Sequence, residues 1–315
     1  MKNNFFEVLR PGINSTFQDL GRNNFYHIGL PFSGAMDRRN FLLSNKLVNN
    51  HENETVLEFA YQGPLLRLCL QKILFTITGN INFKIIKKNG TIISGKCYQT
   101  YILEKDEKLD IISTNQSVYG YLSVNGGFKL NKFLNSYSTT LRAGIGANNG
   151  KKIQAKQKIY LKNSTNINLN KKLKYINTKV EFIRILKGTN FNYFSKEEIN
   201  KFLSQEFTVT NFTDRMGMRL KGHKIKNLIK TNIKSEGIVK GTIQVPADGN
   251  PIVMLSDHGT IGGYPKIAVV ISSDYDKLVQ MPANSKIKFK LIELSEAERL
   301  YKIYKIETDN LLSQI

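Results

Sequence analysis

Apolar and polar residues alternate over short stretches along most of this chain, which is the spacing of half-buried β-strands. Leucines alternate with other residues over positions 65–70, and Ile287, Phe289 and Leu291 share one face of a later segment. Short apolar runs indicate more deeply buried strands. Further strands are predicted at 5–9, 56–61, 73–78, 118–124, 180–186, 207–211, 251–255 and 267–271.

A few segments have helical spacing instead. An apolar stripe predicts a helix over residues 35–48. Ser195 with Glu198, and Ser295 with Glu298, have the spacing of a capping box, in which a serine side chain opens a helix. The pattern therefore predicts a short helix after Ser195 and a longer one from Ser295 to the end of the chain.

The turns between strands are rich in glycine. Asn89-Gly90, between apolar segments 83–87 and 91–94, predicts a hairpin with a type I′ turn, in which both central residues have positive φ. Many short strands, turn glycines and few helices predict a mainly β protein built as barrels or sandwiches. Alternation of strands with helices is too weak for a doubly wound α/β sheet.

The length of 315 residues favours two domains, because a single hydrophobic core seldom organises so long a chain. Residues 162–179 are polar, rich in Asn and Lys, and weakly patterned, as linkers are. We therefore predict an N-terminal domain over residues 1–175 and a C-terminal domain over 176–315. Both halves have a similar coarse order of elements, so a tandem of similar barrels is expected.

The formal net charge of +21 raises the question of nucleic-acid binding. The 46 basic residues comprise 36 lysines and ten arginines, and the lysines are scattered with little aromatic interleaving for base stacking. We therefore expect a solvated basic surface and no nucleic-acid partner. No apolar run reaches the length of a membrane span, and no apolar h-region of a signal peptide precedes Pro11. We therefore expect no signal peptide, no membrane partner and a cytoplasmic location.

Cysteine and histidine are scarce. The two cysteines, Cys69 and Cys97, lie far apart, and the four histidines share no metal-ligand spacing. We expect neither a disulfide framework nor a metal site.

The stretch from Ser235 to Ser273 is where chemistry is most expected. A polar, glycine-containing loop over residues 256–266 lies between two apolar runs, and such loops on rigid strands often carry function. Glycine lets a backbone approach a ligand closely. The alternative is a tight turn between core strands. The candidate residues of the loop are Asp257, Thr260, Gly262, Gly263, Tyr264 and Lys266.

Arginine positions are informative because arginine is scarce in this chain. Arg142 lies in the glycine-dense segment 138–150, which is either an irregular loop or an anion site lined by backbone amides. Arg215 lies beside Asp214 and shortly before Arg219, where the side chains could bind a ligand or pair with one another.

Six motifs, in order along the chain, resemble one known family. The motifs are P-G-I-N-S-T-F-Q-D-L-G-R (11–22), G-A-M-D-R (34–38), S-T-T-L-R-A-G-I-G (138–146), D-R-M-G-M-R-L (214–220), S-E-G-I-V-K-G-T-I-Q-V-P (235–246) and G-G-Y-P-K-I-A-V-V-I-S-S-D (262–274). The family they resemble contains the C subunit of bacterial 5-oxoprolinase, the second subunit of allophanate hydrolase and the second half of the carboxyltransferase domain of urea carboxylase.

The resemblance extends from about Phe5 to Leu294 and implies two tandem cyclophilin-like β-barrel domains. It also implies a direct partner, the B subunit of 5-oxoprolinase, and a third protein, the A subunit, needed for oxoprolinase activity. The family pattern D-x-Q-T-T-G-G-Y is broken here by Gly259 and Ile261, so no role is carried over to those two positions. Asp257 and the Gly-Gly-Tyr core match it.

Three functions are compatible with this resemblance. The first is one subunit of an ATP-dependent 5-oxoprolinase, which opens a lactam to glutamate. The second is half of a biotin-dependent carboxyltransferase acting on a urea-like amide; the chain has no Met-Lys-Met biotin-attachment motif, so biotin would be carried by a partner. The third is a non-catalytic regulatory binding protein.

Both enzymatic functions act on a small amide and develop charge that fixed donors would stabilise. Gln244 can donate to and accept from an amide, and Lys266 could contact a phosphate or an oxyanion. Asp257 could transfer a proton, or merely accept hydrogen bonds within its turn. Arg142 or Arg215 could hold a substrate carboxylate through two hydrogen bonds.

Overall fold

A computed structural model describes residues 4–69, 71–163, 170–175, 180–228 and 232–315. The chain divides into two compact units. The first comprises Met1–Arg22, Ser33–Ile176 and Thr308–Ile315, and the second comprises Asn23–Phe32 and Asn177–Glu307. No helix among the described residues is long and apolar enough to cross a membrane.

The protein is mainly β, as predicted. The described residues form 21 strands and four α-helices. The strands of the first unit are β1 Phe5–Arg10, β2 Thr16–Gln18, β3 Val56–Ala60, β4 Leu65–Cys69, β5 Ile73–Thr78, β6 Ile81–Ile86, β7 Ile92–Ser94, β8 Thr100–Leu103, β9 Lys108–Thr114, β10 Tyr119–Val124 and β11 Lys158–Tyr160. Those of the second are β12 Ile183–Lys187, β13 Phe207–Val209, β14 Gly217–Lys221, β15 Glu236–Gly237, β16 Thr242–Gln244, β17 Ile252–Met254, β18 Ile261–Gly262, β19 Lys266–Val270, β20 Lys286–Ile287 and β21 Phe289–Leu291. The helices are α1 Arg38–Leu47, α2 Lys196–Ser204, α3 Ser272–Val279 and α4 Leu294–Ser313.

The first unit contains two antiparallel sheets around one apolar core. One sheet has the order β11-β1-β4-β9-β6-β7 and the other the order β2-β3-β10-β5-β8. Alternate residues of β1 and β4, such as Phe6 and Leu66, are fully buried in this core, whereas Glu7 and Arg67 between them are half-buried. The alternation in the sequence therefore corresponds to the inner and outer faces of the sheet.

The hairpin between β6 and β7 forms where it was predicted, but its turn differs. Gly90 has positive φ whereas Asn89 does not, so the turn is not type I′. Gly90 N–H donates to the Lys87 carbonyl and Lys87 N–H to the Thr91 carbonyl, which leaves three residues in the loop. This is the alternative geometry in which a type I turn is followed by a left-handed glycine.

Helix α1 begins at Arg38, later than the predicted start at residue 35. Asp37 is its N-cap, and the carboxylate accepts a hydrogen bond from Asn40 N–H at 3.0 Å. The preceding backbone is held by side chains, since Met36 N–H donates to Glu58 and Asp37 N–H to the Tyr121 hydroxyl, both at 2.7 Å. The motif G-A-M-D-R thus builds a helix start.

The second unit contains an eight-stranded sheet that is nearly closed into a barrel. Its order is β20-β13-β14-β17-β16-β19-β12-β21. A single residue, Lys288, separates β20 at one edge from β21 at the other, so the two edges are one continuous stretch of chain. Inside, the rings of Phe202, Phe207 and Phe289 pack together with centroids 4.9–5.9 Å apart.

A small two-stranded ribbon forms a separate sheet in this unit. Strands β15 and β18 pair with each other, Glu236 opposite Gly262 and Gly237 opposite Ile261, and within the described chain they pair with no other strand. The ribbon comes from the segment in which chemistry was expected.

The helices of the second unit test the two predicted capping boxes. Ser195 caps α2 as predicted, accepting from Glu198 N–H at 3.2 Å. The second box is wrong, because α4 already begins at Leu294 and Ser295 lies inside its first turn. Helix α3 follows β19 directly and was not predicted, since its eight residues have no side-chain cap at the N-terminus.

Candidate functional site

The site is built on two neighbouring strands of the second unit, β16 and β19. Gln244 and Lys266 are opposite each other in this antiparallel pair, so their side chains lie on the same face of the sheet. Both side chains are buried. The Gln244 amide Nε2 donates to the Tyr264 carbonyl at 3.3 Å. Two residues predicted to act on an amide are therefore cross-strand neighbours.

Lys266 is held in a polar environment by residues from two other segments. The Nζ of Lys266 lies 3.0 Å from Oε2 of Glu236, on the ribbon. Asn190 accepts from the Lys266 backbone N–H at 3.0 Å, and its Nδ2 lies 3.5 Å from the same Glu236 oxygen. The Lys266 ammonium, the Glu236 carboxylate and the Asn190 amide are thus connected, with Gln244 on the neighbouring strand. We call Asn190, Glu236, Gln244 and Lys266 the lysine cluster.

Gly262 brings the ribbon against this cluster. A Cβ at Gly262 would lie 2.3 Å from Cδ1 of Ile238 and 2.6 Å from Nε2 of Gln244, both far inside van der Waals contact. A larger residue at this position would therefore push aside the ends of these two buried side chains. Gly259, by contrast, has no atom nearer than 3.5 Å to its hypothetical Cβ.

Asp257 and Arg215 form a second charged feature of the same unit. Arg215 donates through Nε and one Nη to the two carboxylate oxygens of Asp257, at 2.8 and 3.0 Å. The Asp257 backbone N–H also donates to the Arg215 carbonyl at 2.8 Å. Both side chains are buried, so this is a bidentate ion pair within the protein. It engages the carboxylate that was predicted to transfer a proton.

Buried hydroxyls lie near this ion pair. The hydroxyls of Ser256 and Tyr275 are 3.3 Å apart. Burial raises the pKa of Tyr275 far above its ordinary value, and the Ser256 hydrogen bond opposes this only in part. Tyr275 therefore remains a neutral hydrogen-bonding group at physiological pH.

His258 is a buried histidine that sequence reasoning did not include. Its Nδ1 lies 2.6 Å from the Gly259 carbonyl, and because a carbonyl only accepts, Nδ1 carries the proton. The ring meets Tyr26 edge to face at 6.1 Å, and the Tyr26 hydroxyl donates to the Ile238 carbonyl. Burial lowers the pKa of His258, which favours the neutral imidazole, and the hydrogen bond to Gly259 opposes this in part.

Arg142 belongs to the first unit, unlike the other eight predicted residues. It is exposed in a turn of the glycine-dense segment. Two glycines of this segment have packing reasons: a Cβ at Gly146 would lie 2.0 Å from the Ser138 carbonyl oxygen, and one at Gly150 2.0 Å from the Gly144 backbone. Gly144 has open space around it and a positive φ of 64°, which favours glycine. The geometry accounts for the glycines without an anion.

The motif 11–22 contributes a buried polar cluster in the first unit. Asp19 accepts from the hydroxyls of Ser136 and Ser138, at 2.7 and 2.5 Å, and from Tyr137 N–H at 2.6 Å. Arg22 donates to Thr140 at 2.9 Å. These charged residues join the motif to the glycine-dense segment.

The structure therefore brings part of the predicted site together. Gln244 and Lys266 belong to the lysine cluster, and Gly262 lies against it. The Tyr264 carbonyl accepts from Gln244, and the Thr260 carbonyl accepts from Ile238 N–H beside the ribbon. Arg215 and Asp257 pair with each other. Gly263 accepts from Ile233 N–H, which ties down the loop. Glu236 and Asn190 were missed; neither has a spacing that distinguishes it from other polar residues.

The chain belongs to the family described as "Carboxyltransferase domain, subdomain A and B", whose profile matches residues 28–291. A curated relative, the C subunit of 5-oxoprolinase from Haemophilus influenzae, is 32% identical over 305 residues, which are 97% of each chain. The resemblance inferred from the motifs is thereby confirmed.

Larger proteins contain a similar segment. Urea amidolyase of Lachancea kluyveri is 27% identical over 94% of this chain, which corresponds to 17% of that protein. The crystal structure of K. lactis urea amidolyase superposes on 99% of this chain with a TM-score of 0.88 at 24% identity, and the chain spans 20% of it. This likeness shows that the fold is shared.

Proposed function

We propose that this protein is one component of an ATP-dependent 5-oxoprolinase, which hydrolyses the lactam of 5-oxoproline to glutamate together with two partner proteins, the A and B subunits. The observation that carries the proposal is the 32% identity to the C subunit of a 5-oxoprolinase over nearly the full length of both chains. The lysine cluster supports it, because its groups suit a small amide.

The chemistry of a lactam explains why such groups are needed. Amide resonance makes the carbonyl a poor electrophile, and phosphorylation of its oxygen by ATP allows water to attack the carbon. The lactam oxygen attacks the phosphoryl group and later leaves with phosphate after water has added to the carbon. Negative charge is concentrated on the phosphoryl group in both steps, and a fixed cation stabilises it better than water does. We assign this role to Lys266. Gln244, beside it on β16, positions the planar amide through its own amide group.

The Asp257–Arg215 pair has a different role in this proposal. With both carboxylate oxygens bound by a buried guanidinium, Asp257 positions Arg215 and the loop that follows β17. ATP is assigned to the complex rather than to a residue of this chain. Arg142 remains a candidate for contact with substrate or with a partner, since it is exposed.

A second candidate function is that of half a biotin-dependent carboxyltransferase acting on a urea-like amide, with biotin on a partner. The observations that favour it are the family description and the similarity to urea amidolyase. The same cluster would then stabilise charge as a carboxyl group passes to the amide nitrogen.

The test is reconstitution. The purified chain is expected to show no ATP hydrolysis dependent on 5-oxoproline, and addition of the A and B subunits is expected to produce it, with glutamate formed. Full activity of the chain alone would contradict the composite enzyme. Activity of the two partners that is unaffected by this chain would remove it from the catalytic complex.

A further inference from the structure

The ion pair between Lys266 and Glu236 differs from the other lysine–carboxylate pairs of the protein. The Lys266 side chain is 3% exposed and that of Glu236 is 42% exposed. Among the described residues, Lys266 is the one buried lysine. Lys87, Lys162, Lys201 and Lys288, which also pair with carboxylates, remain 29–49% exposed. Here the cation is inside and the anion is at the surface.

The arginine pairs of the second unit show the contrast. Asp257 and Asp274 each hold an arginine through two or more hydrogen bonds, and both carboxylates are buried. Glu236 makes one bond to Lys266, through Oε2. The same Oε2 also accepts from Asn190 Nδ2 at 3.5 Å, so both contacts use one oxygen. A half-exposed carboxylate bound through one oxygen is more readily replaced by another anion than a buried carboxylate bound through both.

Lys266 also has unused donors. An ammonium has three N–H groups, and within the described residues its Nζ makes one hydrogen bond, to Glu236. Gln244, directly across the strand pair, uses its Nε2 toward Tyr264, and its Oε1 accepts no hydrogen bond from the described part of the chain. A buried cation needs an acceptor, because an isolated charge in a low-dielectric environment is strongly disfavoured.

We propose that Lys266 is the binding point for the carboxylate of a small amide acid, and that Glu236 occupies this point as an internal carboxylate until the ligand displaces it. The inference rests on the proposed function for the identity of the amide acid, 5-oxoproline. Gln244 then faces the ligand's amide, and Lys266 holds the carboxylate through N–H groups separate from the one that faces the lactam oxygen in the proposed function. The ribbon carries the displaceable group, since Glu236 begins β15.

The experiment measures binding to the full purified chain by calorimetry, with no ATP and no partner present. The probes are 5-oxoproline, 2-pyrrolidinone (the same lactam without the carboxylate), acetate and inorganic phosphate. Wild-type protein is expected to bind 5-oxoproline and, more weakly, acetate. It is expected not to bind 2-pyrrolidinone, and phosphate is expected not to compete.

Glu236→Gln removes the competing charge and keeps the shape of the side chain. Loss of a half-exposed ion pair is worth up to about 1 kcal/mol, so 5-oxoproline is expected to bind up to about fivefold tighter. The control is Glu206→Gln, which removes one negative charge from the same unit, where Glu206 pairs with Lys288 at 3.6 Å and both are 49% exposed. It is expected to leave the affinity unchanged.

Lys266→Met is expected to weaken binding by about tenfold or more, because a charge-assisted hydrogen bond is lost. This variant leaves Glu236 at the surface and hydrated, so the fold is expected to persist, which melting temperature checks. Glu236→Gln tests the proposal even where Lys266→Met does not fold.

Four results would overturn the proposal. The first is that Glu236→Gln binds 5-oxoproline no more tightly than Glu206→Gln does, and the second is that 2-pyrrolidinone binds as tightly as 5-oxoproline. The third is that phosphate competes with 5-oxoproline as well as acetate does. The fourth is that neither the wild type nor Glu236→Gln binds a carboxylate. Acetate binding could change in the Lys266 and Glu236 variants as expected while the reconstituted complex does not hydrolyse 5-oxoproline. In that case the proposed function is wrong and the carboxylate site is supported.

Discussion

Arg215 and Asp257 form a buried ion pair that the sequence does not reveal. The sequence places Asp257 at the end of a buried strand, where it could transfer a proton, but it cannot show that Arg215, 42 positions earlier, binds both carboxylate oxygens. Asp257→Asn would remove a carboxylate charge that binds the buried guanidinium of Arg215 through two hydrogen bonds. We expect unfolding free energy to fall by about 3–5 kcal/mol, measured by urea denaturation.

Asp110→Asn is the matched control for that variant. Asp110 also pairs with an arginine, Arg10, at 2.8 Å, but the two side chains are 22% and 35% exposed. Its loss is expected to cost about 1 kcal/mol or less. Unchanged stability of Asp257→Asn, together with loss of turnover in the complex, would instead make Asp257 a proton-transfer group.

Gly262 and Gly259 provide a paired test of the lysine cluster. An alanine Cβ at Gly262 would displace the Gln244 amide, whereas at Gly259 it would make ordinary contact. We expect Gly262→Ala to lower turnover of the reconstituted complex by about 10²-fold, as a small misplacement of a positioning group can do. Gly259→Ala is expected to keep wild-type turnover, and similar losses in both variants would contradict this reason for the glycine.

His258 makes stability depend on pH. Burial lowers its pKa in the folded state below the ordinary value of 6.5, so the unfolded chain binds the proton more readily. Its contribution to stability is fully present above pH 6.5 and is lost as pH falls through the folded pKa. Nearby Asp257 opposes this lowering and Lys240 adds to it.

The corresponding variant is His258→Asn, whose amide nitrogen replaces the Nδ1 donor to Gly259. Between pH 7.5 and 5.5 the wild type is expected to lose more unfolding free energy than this variant does, measured in urea at each pH. His27→Asn, at an exposed position, is the control and is expected to follow the wild type. A parallel loss in His258→Asn would show that other groups titrate.

At the scale of elements, alternation predicts most strands because one face of each sheet is buried. Alternation predicts turn types and helix starts less well, because local hydrogen bonds determine them. The turn at Asn89-Gly90 uses one left-handed residue where two were expected, and α3 begins without a side-chain cap. The sequence could not predict that Glu236 pairs with Lys266, because the two-residue strand β15 is too short to show a pattern of apolar and polar residues.

The two serine motifs test helix capping directly. Ser195 accepts from Glu198 N–H at the start of α2, so Ser195→Ala is expected to cost about 1 kcal/mol of stability. Ser295 lies inside α4, where alanine is at least as favourable as serine, and Ser295→Ala is expected to be neutral or slightly stabilising. Urea denaturation of both variants checks this, and equal costs would restore Ser295 as a cap.

At the scale of the whole molecule, six ordered motifs were sufficient to identify the family, and the profile match to residues 28–291 agrees. The composition was less informative. The formal net charge of +21 comes mainly from lysines. In the described part of the chain, one of these lysines, Lys266, is buried. The motifs could not show that segment 23–32 groups with the second unit and 308–315 with the first, because such grouping depends on tertiary contacts.

The most direct test of the central claim is the substrate choice of the reconstituted complex. This chain with the A and B subunits is assayed for ADP and glutamate with 5-oxoproline, and for carboxylation with urea in the presence of a biotin carboxylase and its carrier. With 5-oxoproline as the substrate, we predict that ADP and glutamate form only when this chain is present. We also predict that urea is not carboxylated. Carboxylation of urea without hydrolysis of 5-oxoproline would contradict the proposed function.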